Sequence, residues 1–152
     1  MKTDNLIKNQ NGVALVEFGL ILPLLILLIF GIIEFSLLLY NQQVITNASR
    51  EGARAGIIVR SPRLTNQEVI DQVKKYARSQ LITFGNDTLE DSDINLLPVN
   101  DDPDTFNPAT ERCRTFGCDL RIAVSYNYDF LVLSNLGFGQ KKLQAVSIMR
   151  ME

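Results

Sequence analysis

Three observations predict an α+β protein: one long amino-terminal, transmembrane helix followed by a small head in which a helix packs on an antiparallel sheet of about three strands. The stretch from Val13 to Tyr40 is almost wholly apolar and far too long for a strand. After Thr65 apolar residues recur at helical spacing. From Leu120 to Tyr128 they alternate strictly with polar or small ones, which marks a strand with one buried face.

The organisation follows in chain order. Residues 1–12 are polar, with Lys2, Lys8 and the terminal amine against Asp4, a weak positive excess that favours a cytoplasmic amino terminus and an exported remainder. Residues 13–40 are read as the membrane-crossing helix. At about 1.5 Å per residue this segment reaches about 40 Å, against a hydrocarbon core of about 30 Å. A buried core helix is disfavoured because so wide an apolar surface has no visible partner in the rest of the chain. A cleaved secretory signal is disfavoured because the run is too long and no A-x-A site follows it.

Within this span stand two acids and a proline. Glu17 lies five residues after Gly12 and immediately before Phe18, and a carboxylate near hydrocarbon costs roughly 2.5 kcal/mol or more unless something neutralises it. Glu34 closes a run of sixteen uncharged residues, Phe18 to Ile33, and reads as the outer-interface residue, with a subunit contact as a second role. Pro23 removes the bond to the Gly19 carbonyl and predicts a loosened or kinked helix there, which membrane helices tolerate.

Gly12-Val13-Ala14-Leu15-Val16-Glu17-Phe18 resembles the processing site of type IV pilin precursors, in which a dedicated peptidase cuts after a glycine and leaves glutamate fifth in the mature chain. Val16-Glu17-Phe18-Gly19-Leu20-Ile21-Leu22-Pro23, Gly31-Ile32-Ile33-Glu34-Phe35 and Ala48-Ser49-Arg50-Glu51-Gly52-Ala53-Arg54 are similar to the TadE-like pseudopilins of the Tad (Flp) pilus. The likeness runs from about Gly12 to Gly56 and touches again at Met149-Arg150-Met151-Glu152. It implies a prepilin-like leader at 1–12, cleavage between Gly12 and Val13, and an assembly or register role for Glu17 and Phe18. It further implies that Pro23 marks a place of local melting on packing into a filament. The implied partners are other pilin and pseudopilin subunits through the N-terminal helix, a prepilin peptidase, the inner-membrane assembly platform and the lipid bilayer. The implied location is the bacterial inner membrane, amino terminus inside and head outside, and then the pilus or cell surface. Charge gives an independent rationale for Glu17: the amine freed at Val13 of one subunit and the carboxylate of its neighbour offset the cost of each other's burial.

Residues 41–60 read as an extension of the helical stalk. Ala48, Gly52 and Gly56 share a spacing of four, as do Ser49 and Ala53, so this face admits another helix closely and is a candidate subunit contact. Arg50 and Arg54 also share a face, balanced by Glu51; a solvated side is the default reading and a partner-subunit acid the sharper one, with Arg54 the candidate contact. Ser61-Pro62 breaks the pattern and opens the exported head, 61–152.

In the head, Thr65-Asn66-Gln67-Glu68 is a capping box, and Val69, Ile70, Val73, Tyr76, Ala77 and Leu81 follow at helical spacing up to Gly85-Asn86. Strands are expected at Ile94 to Val99, Leu120 to Tyr128 and Leu143 to Met149, the last with Val146 and Ile148 on one side.

The two cysteines, Cys113 and Cys118, read as a disulfide closing a short loop in an oxidising compartment, worth about 2 kcal/mol by chain entropy. Free thiols are the alternative. Two thiols in a chain without histidine make no structural zinc site. Asn100, Asp101, Asp102, Asp104 and Thr105 form a hard-oxygen cluster, but without EF-hand spacing or its distal glutamate a solvated loop is preferred. No cofactor, metal or catalytic residue is therefore expected. Absent histidine removes Ser-His-Asp and Cys-His catalysis, and neither phosphate-binding glycine loop is present. A net charge of −2 gives no pull toward nucleic acid. Two functions remain: a minor pilin (pseudopilin) subunit for assembly, initiation or capping of a Tad-type pilus, or a signal-anchored exported binding or sensory module not processed as a pilin.

Overall fold

The computed structural model describes residues 10–59, 61–83, 89–98, 117, 119–137 and 139–150. Helix α1 (Gln10–Ile57) and helix α2 (Asn66–Gln80) are followed by a 3-10 turn (Asp91–Asp93), strand β1 (Ile94–Pro98), strand β2 (Asp119–Tyr128), a second 3-10 turn (Leu133–Leu136) and strand β3 (Lys141–Arg150). The α+β class and all three strands are those the periodicity predicts. The chain divides into two compact units, Met1–Ser36 and Leu37–Glu152.

In the first unit α1 is continuous through Pro23. Its apolar side chains from Val13 to Ile33 are exposed. Nothing among the described residues of the unit buries them, and one segment of α1 is long and apolar enough to cross a membrane.

In the second unit an antiparallel sheet, order β1-β2-β3, is covered on one face by helices. The register pairs Ile94 with Val124 and Leu96 with Ile122 on one side, and Ile122 with Ser147 and Tyr126 with Leu143 on the other. Leu120, Ile122, Val124, Tyr126 and Tyr128 all point inward, and burial of each large apolar side chain is worth about 1.5–3 kcal/mol. Against them pack Val69, Val73 and Ala77 of α2 and Ile45, Ala48 and Ala53 of α1. Tyr128 meets Phe130 edge to face at 5.5 Å. Gly137, with φ 89°, closes the second 3-10 turn in the left-handed conformation that glycine adopts without strain.

α2 starts as its capping box predicts: the Glu68 amide donates to Thr65 Oγ1 at 3.2 Å and the Thr65 amide to Glu68 Oε2 at 2.6 Å. Its end differs from expectation. The helix stops at Gln80 rather than at Gly85-Asn86, which lie outside the described residues. The cause is tertiary: Asn41 of α1 takes both backbone groups of Ile82, its Nδ2 donating to the carbonyl at 2.7 Å and its Oδ1 accepting from the amide at 3.0 Å.

The division of the chain also differs. Residues 41–57 are not a free stalk, because Ile45, Ala48 and Ala53 belong to the head's own core. In β3 the buried side is Leu143, Ala145 and Ser147, so Val146 and Ile148 face solvent.

Candidate functional site

The candidate site at the amino-terminal end is a helix surface. α1 begins upstream of the Gly12–Val13 bond, so that bond lies within the helix, and Gly12, Val13, Glu17, Phe18 and Pro23 are all exposed. Four residues separate Val13 from Glu17, which places both on one face of α1. An exposed apolar surface of this extent, carrying one carboxylate near its start, suits a hydrocarbon environment and contact with similar helices.

Glu34, read as the outer-interface residue, is only 2% exposed. In the second unit Leu38, Asn41, Ile45, Ala48 and Gly52 succeed one another in steps of three and four, and this stripe is the inward face of α1 there, fully buried from Asn41 onward.

The same stripe corrects the reading of the small residues. Ala48, Gly52 and Gly56 are buried within their own chain, so they are not a free surface for another subunit. The close approach they allow is used internally: a Cβ placed on Gly52 would lie 2.2 Å from Val73 Cγ2 and 3.3 Å from Ile122 Cδ1. The helix that comes near is α2 of the same polypeptide. Arg54, with Arg50 and Glu51, is exposed on the other side of α1 and remains available to a partner.

Two residues had no role in the sequence reading. Asn41 is fully buried and ends α2, and Gln42 Nε2 donates to the Gln144 carbonyl of edge strand β3 at 2.9 Å. The available signal was phase: Asn41 precedes Ile45, Ala48 and Gly52 at four, seven and eleven residues, so a polar side chain there must enter the core with its hydrogen bonds satisfied.

An ion pair links the middle of α2 to the first 3-10 turn. Lys74 and Gln67 hydrogen-bond Asp91, and the Lys74 bond first, then that from Gln67, hold the Asp91 carboxyl below its ordinary value. The cysteine pair Cys113 and Cys118 and the Asp101-Asp102-Asp104 cluster lie outside the described residues.

The model of the TadE-like protein family matches residues 12–54. The match covers the exposed apolar face, Glu17, Glu34, the inward stripe from Leu38 to Gly52, and the exposed arginines. No curated protein and no solved structure matches the chain.

Proposed function

We propose that the chain is a minor pilin, a pseudopilin of a Tad-type pilus, acting as a structural subunit and not as a catalyst. One observation carries the reading. The matched TadE-like segment opens on Gly12–Val13, and Glu17 follows four residues later on an otherwise apolar, exposed helix. A carboxylate there is costly in lipid unless a cation neutralises it, and cleavage before Val13 creates that cation as an amine. In an assembled filament the Val13 amine of one subunit faces the Glu17 carboxylate of another, which sets the register between neighbours. Phe18 and the surrounding apolar residues fill the helix–helix contact, and Pro23 lets the helix loosen as it leaves lipid for the bundle.

On this reading the protein waits in the inner membrane, amino terminus inside, until a prepilin peptidase removes residues 1–12 and the assembly platform passes it to the pilus. The head, residues 37–152, travels outside, and Arg54 is the contact point on its helix. Cys113 and Cys118 pair as a disulfide once exported.

Amino-terminal sequencing of the protein recovered from membranes of peptidase-positive and peptidase-negative cells tests this. Val13 is the expected first residue only where the peptidase is present; an intact Met1 in both refutes processing. Recovery of the uncut form, anchored and carrying a functional head, would instead support the signal-anchored binding module.

A further inference from the structure

The sheet has a second face that none of the described elements covers. Its side chains alternate with the buried ones, and the register sets them in rows: Arg121 beside Ile148, Ala123 beside Val146, Ser125 beside Gln144, and Asn127 beside Lys142. Val146 and Ile148 in the middle are 49% and 55% exposed. Between the strands lies a shallow concavity of about 170 Å³ lined by Asn95, Arg121, Ser125, Lys142, Gln144 and Val146. Its charge is one-sided. Arg121 and Lys142 make no ion pair among the described residues, and Asp119 on this face is paired with Arg150 at 3.8 Å. A cationic face is therefore segregated on a chain whose net charge is −2. An apolar centre with a charged and amide rim is the anatomy of a protein contact.

The complementary surface is on the same head. Asp71 of α2 and Asp91 at the 3-10 turn are drawn together by Gln67, whose Nε2 lies 3.4 Å from Asp71 Oδ1 and 3.0 Å from Asp91 Oδ2, with Glu90 and Asp93 capping the same turn. Lys74, paired with Asp91, and Lys75 and Arg78 beside Asp71 offset part of this acidity. α2 packs on the covered face of the sheet, with Val73 against Gly52, and the acidic edge reaches one margin of the open face, where the Asp93 carbonyl accepts from Ser125 Oγ at 3.3 Å.

We propose that the open sheet face receives the acidic α2 edge of a second copy of this chain. Because the two surfaces differ, the contact is heterologous, and each copy keeps one free surface for the next. The contact is carried by the head alone and does not depend on cleavage at Gly12–Val13.

The test uses the full uncut chain in detergent micelles, with sedimentation velocity at about 50 and about 500 mM salt, a range over which screening between exposed charges becomes severe. The parent should self-associate at low salt and lose this at least tenfold at high salt. Arg121→Glu with Lys142→Glu should abolish low-salt association, as should Asp71→Lys with Glu90→Lys in a separate chain. Mixing these two charge-reversed proteins should restore it, which also shows that both are folded. Crosslinking with mass spectrometry should then join the Gln144 region to the Gln67–Asp71 region. A parent that stays monomeric at low salt, a face-reversed variant that associates like the parent, or a mixture that fails to associate would each overturn the proposal.

Discussion

At the residue scale the protein turns on side chains that have no room or no alternative partner. Gly52 is one: with Val73 Cγ2 only 2.2 Å from where a Cβ would sit, Gly52→Val must displace α2 from α1. Overpacking of this kind costs about 1–3 kcal/mol, and urea unfolding should show the loss as a lower midpoint. Asn41 is the other. Asn41→Leu leaves the Ile82 amide and carbonyl without their side-chain partner, at about 1–3 kcal/mol, and amide exchange at Ile82 should accelerate more than at Val73. Asp91 gives a pH signature. Its folded pKa is depressed below the ordinary 3.8 by the hydrogen bonds from Lys74 and Gln67. Its contribution is therefore complete above the unfolded value and is lost as pH falls through the folded one. Asp91→Asn should lower the thermal midpoint at about pH 7, and its difference from the parent should shrink as pH falls through the folded pKa. A difference that persists in acid would mean another group is responsible.

At the element scale α1 is two helices in one. From Val13 to Ile33 it is apolar apart from Glu17 and exposed; from Gln43 onward one side is buried and the exposed residues are polar. A helix apolar all round needs lipid or other helices, whereas an amphipathic one needs only its own domain. α2 shows how local and tertiary signals divide the work. Its start is a capping box, so Thr65→Ala should cost about 1 kcal/mol wherever the helix sits. Its end is set by Asn41, so removing α1 through Asn41 should let the residues after Gln80 fray, which chemical shifts would report. β3 illustrates the limit of alternation. Leu143 to Met149 reads as a strand from sequence, but both of its faces carry apolar residues, so period alone does not say which is inward.

At the scale of the whole molecule the two compact units make different demands on their surroundings. The buried cluster lies entirely between Leu37 and Met149, so a chain beginning at Leu37 should remain soluble without detergent and unfold cooperatively. The full chain should instead require membranes or detergent, and Glu17→Ala in the full chain should spare head stability while reducing incorporation into pili. Pili of normal number and length from Glu17→Ala cells would remove the register role assigned to that carboxylate.

Much of this was legible in the amino-acid order. The apolar run, the capping box and the strict alternation from Leu120 to Tyr128 are local patterns whose periods match one element each, and they determined the α+β class, the exposed anchor and its isolated acid. Tertiary structure alone decided which small residues are spent inside the head, where α2 stops, and that Val146 and Ile148 face outward. Each of those depends on which face of an element meets another, and a spacing of four or of two names a face without naming the neighbour that covers it.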